Sequence, residues 1–294
     1  MIQDYLFDPS DYKQFEKLYN NISIKGTNHI KYSQGVQELI LNNIFSVIGT
    51  QNNPPLCVEF GHNNNNYYGT NTGYLIENKK WKGIFFDGNN SNKDINLNKE
   101  FLTSQNIVSI FKKYNISKTC DLISIDLDSI DIWILFELLK NNYRPSVYQV
   151  EFNIIYTYYN TYLTHPNIIN ENDSKILCWD KSRIFGSSLQ AFNLLANMYG
   201  YKLVGVDNHN TNDAFFIRND LCPKNILSFD NIYNKYIKNI KKDYFKQFHK
   251  KDKKRKYRFL LDFETYLKTK NISSSLKRGQ QIINHKNLDE IFMI

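Results

Sequence analysis

The chain has 294 residues, of which 41% are hydrophobic and 15% aromatic, and it carries a formal net charge of +8. This composition supplies a sizeable core and excludes an intrinsically disordered chain, at a length suited to one large domain or two small ones. The charge is uneven: from Asn231 onward 17 Lys and Arg face 6 Asp and Glu, against 20 and 23 over residues 1–230, so any nucleic-acid reading rests on the C-terminal tail alone.

In chain order, residues 10–20 and 35–48 read as helices, the second with Val36, Leu39, Ile40 and Ile44 at helical spacing. Pro54 and Pro55 close that region, and Leu56–Phe60 is a buried strand running into Glu59-Phe60-Gly61. A polar, Asn-rich loop leads to a helix over Thr72–Lys80 and a second strand, Gly83–Asp87. A short strand is expected near Ile95–Leu97, then a helix over Gln105–Tyr114 capped by Ser104. Asp121–Asp126 is a strand, Ile130–Asn141 a helix and Val147–Phe152 another strand. After a helix at Ser188–Tyr199 come Tyr201–Val206 and Ala214–Arg218, joined by Asp-Asn-His-Asn-Thr-Asn-Asp. That linker is too short for a crossover helix, so these two strands pair as an antiparallel hairpin. The expected fold class is α/β: a Rossmann-like, mostly parallel sheet ending in an antiparallel hairpin, flanked by helices. It is the topology of methyltransferases rather than of nicotinamide-binding domains. The domain division expected is a helical N-terminal extension (1–50), a main domain (51–230) with an insertion at 154–185, and a basic, mainly helical tail (231–294).

Cys57, Cys120, Cys178 and Cys222 are far apart, without CxxC or zinc-finger spacing, and read as reduced thiols. No basic n-region precedes an apolar run at the N-terminus, and Ile130–Leu139 is too short and too charged to span a bilayer. The expectation is a soluble, cytoplasmic protein without membrane contact.

The segments Val-Glu-Phe-Gly (58–61), Gly-Thr-Asn-Thr (69–72), Trp-Lys-Gly-Ile-Phe-Phe-Asp-Gly-Asn (81–89), Asp-Leu-Ile-Ser-Ile-Asp-Leu-Asp (121–128), Tyr-Arg-Pro (143–145) and Glu-Phe-Asn (151–153) carry a resemblance. Together with Phe-Gly-Ser-Ser-Leu (185–189), Gly-Tyr-Lys-Leu-Val (200–204) and Asn-Asp-Ala-Phe-Phe-Ile-Arg (212–218), they resemble FkbM-like methyltransferases over roughly residues 55–220. The resemblance implies S-adenosylmethionine as cofactor and a hydroxyl of a sugar or sugar-containing small molecule or glycan as acceptor, with a divalent cation in related enzymes. It also implies that Glu59, Gly61, Asn71, Asp87, Asn89 and Asp126 border the cofactor. One departure stands out: the turn after the first strand is Gly-His-Asn-Asn-Asn-Asn-Tyr-Tyr-Gly, leaving only Gly61 and Gly69 to let the backbone approach a ligand.

The residues themselves support roles at those positions, each against a plainer alternative. Ligands of open α/β sheets lie beyond the carboxyl ends of the strands. Glu59 and Gly61 stand there, although Glu59 could instead cap the next helix or pair with a lysine. Asp87 ends the second strand, where an acid can accept both ribose hydroxyls; the alternative is an exposed Asp-Gly turn. Asp126, Asp128, Glu151 and Asn153 end two strands expected to be neighbours, and hard oxygen ligands so grouped suit Mg²⁺, or Mn²⁺ or Ca²⁺. The alternative has Asp128 or Ser129 capping the following helix. Asp126 and His165 are the catalytic candidates. His165 lies in an aromatic insertion placed to form an acceptor lid, while His62 and His209 are weaker candidates for a base. The tail's Lys-Lys pairs interleaved with aromatics suit a solvated helix face or an RNA-binding one. Two rival functions follow: an RNA (cap ribose) methyltransferase using that tail, and a non-catalytic binding module keeping the fold. A homo-oligomer is compatible with the sequence.

Overall fold

The structure, a computed structural model, describes residues 31–167, 185–207, 212–223, 228–238 and 260–286. The predicted helix at 10–20, most of the insertion with Cys178 and Trp179, His209, and the lysine-rich stretch 239–259 lie outside the described residues.

The first described helix, α1 (Gln37–Ile48), is followed by β1 (Leu56–Phe60), α2 (Gly73–Lys79) and β2 (Lys82–Asp87). A 3-10 turn at Lys93–Ile95 precedes β3 (Leu97–Lys99), two residues later than expected, because the side chain of Asn92 accepts from the Asp94 N–H and Asn96 turns left-handed. Next come α3 (Ile107–Lys113), β4 (Leu122–Ile125), α4 (Asp131–Lys140) and β5 (Val147–Glu151). Ser104 does not cap α3; Thr103 and Asn106 exchange hydrogen bonds at that end instead. The chain continues through α5 (Ile154–Tyr158), β6 (Leu163–Thr164), α6 (Leu189–Met198), β7 (Tyr201–Asp207) and β8 (Asp213–Arg218). Then follow α7 (Phe229–Ile232), β9 (Leu261–Asp262), α8 (Phe263–Thr269) and α9 (Ile272–His285).

Seven strands form one sheet in the order β3-β2-β1-β4-β5-β8-β7. All neighbours are parallel except β8, which runs antiparallel to both β5 and β7. The expected α/β class and terminal hairpin are therefore present. The strand order reverses beside β1, so β1 and β4 diverge into connections on opposite sides, the switch point at which such sheets hold ligands.

Period-two alternation gives the sheet two different faces. Val58, Phe60, Ile123, Ile125, Tyr148, Val150 and Phe216 join one large apolar core with residues of α3, α4 and α6. On the opposite face, α1 and α2 contribute Leu41, Ile44, Phe45 and Leu75, packed on Cys57, Leu122, Val147 and Ile217, a row fixed by strand register. Two residues further along the strands the same row reads Glu59, Ser124, Gln149 and Phe215. Beyond it stand Asp126, then Glu151 opposite Asp213, and Asp213 opposite Asp207. This face thus changes from apolar to amide and hydroxyl to carboxylate toward its carboxyl end.

The described part of the C-terminal segment packs on the same domain. β9 pairs antiparallel with β6, and the Trp133 ring meets Phe263 and Tyr266 edge-on at 5.4 and 4.8 Å. Gly279 lets α9 approach closely: a Cβ there would lie 2.3 Å from the Leu260 carbonyl oxygen.

Candidate functional site

At the end of β1 the chain turns through Gly61, with φ +85°, and its N–H donates to the Phe86 carbonyl at 3.0 Å. A Cβ there would sit 1.9 Å from the main-chain oxygen of Asp126, so the β1 and β4 ends meet backbone to backbone. Glu59, one pleat below, is buried, and its carboxylate organises the returning loop. It accepts from the N–H groups of Asn71 (2.8 Å) and Thr72 (3.0 Å) and from the Thr72 hydroxyl (2.6 Å). Burial pushes the Glu59 carboxyl up to about 7 despite these bonds. Its oxygens are thus engaged at the start of α2, the capping alternative of the sequence reading. The Asn71 side chain reaches across to the Ser124 hydroxyl at 3.1 Å, tying the loop to β4.

At the end of β2, Asp87 Oδ1 accepts from the N–H groups of Asn89 (2.8 Å) and Asn90 (2.7 Å) and from the Asn90 amide (2.8 Å). Asn89 is exposed and meets Asp87 through its backbone. His62 is buried; its Nε2 lies 2.7 Å from the Asn66 carbonyl and its ring beside Phe85, and burial lowers its pKa.

The carboxyl ends of β4 and β5 bring three acids together: Asp126, Asp128 and Glu151 each offer an oxygen within 4.8 Å of the others. Asp128 stands in a left-handed conformation, φ +58°. The turn it belongs to is closed by a residue the sequence reading passed over. Asp131 accepts the N–H groups of Leu127 (2.7 Å) and Ser129 (3.1 Å), whereas no side chain caps α4. Burial pushes the Asp131 carboxyl to about 7 against those two bonds. Burial, then the charges of Asp213, Asp128, Asp131 and Glu59, raise the Asp126 carboxyl well above the usual range. Glu151 is raised likewise by burial and then by Asp126, Asp128, Asp131 and Asp213, and Asp128 by burial. Carboxylates gathered this closely favour either protonation or a bound cation.

Asn153, the fourth residue of the expected group, has its side chain engaged by neighbouring backbone. It is the cap of α5: its side-chain oxygen accepts from Ile155 (3.0 Å) and Tyr156 (3.2 Å), and its amide nitrogen donates to the Phe185 carbonyl at 3.0 Å. The bend after β5 needs those backbone N–H groups satisfied, and the Asn153 amide oxygen satisfies two of them.

His165 is buried at the end of β6, its Nδ1 lying 3.0 Å from the Pro166 carbonyl. A carbonyl only accepts, so Nδ1 carries a proton. The His165 carbonyl takes the Trp133 indole N–H at 2.8 Å, fixing this part of the insertion on α4.

Two more acids were missed. Asp207 and Asp213 flank the connection of the hairpin, yet they are 1% and 3% exposed. Asp213 accepts from the Gln149 amide (3.0 Å) and the Gln37 amide (2.8 Å), and Asp207 accepts from the Val36 N–H (2.8 Å). The other amide atom of Gln149, Oε1, is buried without a partner among the described residues. The available signal was the pairing itself, since an antiparallel strand that begins with Asp213 beside Glu151 places a second acid next to that one.

The donor set fits a divalent cation. All three groups are hard oxygens, and separations up to about 5 Å are spanned by one Ca²⁺ and up to about 4 Å by one Mg²⁺. Among the described residues no helix is long and apolar enough to cross a membrane.

No family model matches the chain, and no curated protein does. Among solved structures it is similar to the MycE methyltransferase from the mycinamycin biosynthetic pathway, determined in complex with Mg, SAH and mycinamycin VI. The TM-score is 0.37 at 12% identity, and the match covers 74% of this chain but 65% of that one, less than two thirds of its length. A likeness of that grade transfers no residue roles.

Proposed function

We propose that the chain is an S-adenosylmethionine-dependent O-methyltransferase acting on a hydroxyl of a sugar or sugar-containing small molecule, with a divalent cation at Asp126, Asp128 and Glu151. The observation that carries this reading is the gathering of three carboxylates at the carboxyl ends of β4 and β5, beside the glycine turn that ends β1. The resemblance to FkbM-like methyltransferases over residues 55–220 agrees with it.

S-adenosylmethionine would supply an already activated methyl group, and the cation would polarise an acceptor hydroxyl and lower its pKa. What remains for the protein is alignment and proton removal. The turn at Gly61 and the loop held by Glu59 would shape the cofactor cradle, with Asn71 and Asn89 along its edges. Asp87 has Oδ1 committed to its own turn, so Oδ2 is the atom we assign to the ribose hydroxyls. Asp126 sits where the cofactor and cation sites would meet. His165, with its proton on Nδ1, would use Nε2 as the base. The lysines that an RNA-binding reading would use, 239–259, lie outside the described residues.

The test is calorimetric titration of the full-length chain with S-adenosylhomocysteine, with and without Mn²⁺. Saturable one-to-one binding is expected. A chain that binds neither nucleoside nor cation would refute the proposal in favour of a non-catalytic module.

A further inference from the structure

The segment before α1 makes contacts that neither the cofactor cradle nor the acid group requires for itself. Three successive N–H groups, of Lys31, Tyr32 and Ser33, converge on the buried carboxylate of Glu38 at 3.0, 2.9 and 2.9 Å, which folds residues 31–38 into a strap. One end of the strap lies on the loop after β1. The Tyr32 carbonyl accepts the Gly69 N–H, and the Tyr32 ring stacks near Tyr68 at 6.1 Å. Gly73 must be glycine against it, because a Cβ there would come within 2.9 Å of the Tyr32 side chain. The other end lies on the buried acids of the hairpin: Val36 N–H on Asp207 and the Gln37 amide on Asp213.

The Gln37 amide is oriented, not merely near. Its oxygen accepts the Gly35 N–H at 2.7 Å, so its nitrogen must face Asp213. Asp213 in turn faces Glu151 across the strand pair, and its charge bears on Asp126, Glu151 and Glu59. The strap therefore spans from the turn that would hold the cofactor to a carboxylate that faces Glu151 beside the cation group.

We infer that residues 31–38 couple cofactor binding to cation binding, with Gln37 as the positioning residue. The inference rests on the methyltransferase reading. A ligand that orders the loop at Gly69 holds Tyr32 in place, and the strap carries that order to Asp213. The second ligand then meets an acid group whose neighbour is already fixed, so less ordering opposes it and the coupling is positive. Gln37 touches neither ligand in this scheme.

The experiment measures Mn²⁺ affinity of the full-length protein by electron paramagnetic resonance of free Mn²⁺, without and with saturating S-adenosylhomocysteine. This probe lacks the sulfonium charge that would itself repel a cation. In the unmodified protein the nucleoside should tighten Mn²⁺ binding about fivefold or more. Gln37→Leu should still bind each ligand alone, with the ratio collapsing to about one. A Gln37→Leu protein that couples as the unmodified one does, or an unmodified protein that binds both ligands with a ratio of one, overturns the inference while leaving the proposed function standing. A protein binding neither ligand removes both. Should Gln37→Leu fail to fold, hydrogen exchange of residues 67–73 in the unmodified protein decides. Slower exchange on adding Mn²⁺ supports the coupling, and unchanged exchange overturns it.

Discussion

Gly61 and Asp126 touch main chain to main chain: a Cβ on the first would stand 1.9 Å from the carbonyl oxygen of the second. Since Gly61 also has φ +85°, an alanine there meets both backbone strain and a clash. The strain costs about 1–2 kcal/mol and the forced shift about 1–3 kcal/mol more. Gly61→Ala should therefore lower unfolding free energy by about 2–5 kcal/mol in a denaturant melt. A variant as stable as the parent would show that β1 and β4 do not end in this contact.

Asp87 should contribute to cofactor affinity without contributing much to the fold, because its turn is exposed. Asp87→Ala is expected to weaken S-adenosylhomocysteine binding by about 10- to 150-fold, as loss of a charge-assisted bond of roughly 1.5–3 kcal/mol would. Calorimetry on the folded variant checks this. Equal affinity would place the ribose elsewhere.

The elevated carboxyls make a prediction about pH. Glu59 and Asp131 both rise to about 7, from ordinary values of 4.5 and 3.8. The folded state then holds more protons than the unfolded one between those limits. Their contribution to stability is fully present below about pH 4 and is lost as pH rises through 7, a change on the order of a few kcal/mol. In chelator, the parent should lose more stability between pH 5 and 7.5 than Glu59→Gln does, whatever the absolute stability of that variant. Parallel pH profiles would mean that Glu59 does not titrate in this range.

Much of this was legible because period and register are local to the chain. Apolar runs such as Leu122–Ile125 announce buried strands, and a seven-residue connection between two of them forces a hairpin. The convergence of Asp126, Asp128 and Glu151 followed from adjacent strand ends. Caps were harder. Asn153 looks like a ligand in sequence, but the bend into α5 leaves backbone N–H groups that its amide satisfies. Asp207 and Asp213 look like turn residues, but Val36 and Gln37, more than 170 positions away, bond to their buried carboxylates. No local pattern encodes a contact of that separation.

Asn153 gives a direct check of that reassignment. Removing a cap that serves two N–H groups should cost about 1–2 kcal/mol. Asn153→Ala should show that loss in thermal or denaturant melts and keep the Mn²⁺ affinity of the parent within about twofold. A large fall in Mn²⁺ affinity at unchanged stability would restore Asn153 as a ligand.

Without a cation, Asp126, Asp128 and Glu151 repel one another, and burial with neighbouring Asp213 and Asp131 pushes the Asp126 and Glu151 carboxyls up. A divalent cation reverses this by stabilising the ionised forms, so binding should release protons and strengthen as pH rises from 5 to 8. Asp126→Asn keeps the shape of the side chain and removes one of the mutually repelling charges. The apo variant should therefore be at least as stable as the parent, while Mn²⁺ affinity falls by tenfold or more, about 1.4 kcal/mol. Turnover of a sugar acceptor should fall on chelation, return with Mg²⁺, Mn²⁺ or Ca²⁺, and be largely absent in the variant. Full activity in excess chelator, or Mn²⁺ binding that ignores both pH and Asp126→Asn, would remove the cation from the mechanism. Binding of S-adenosylhomocysteine at Gly61 and Asp87 would then stand as a separate question, because none of its expected contacts depends on Asp128 or Glu151.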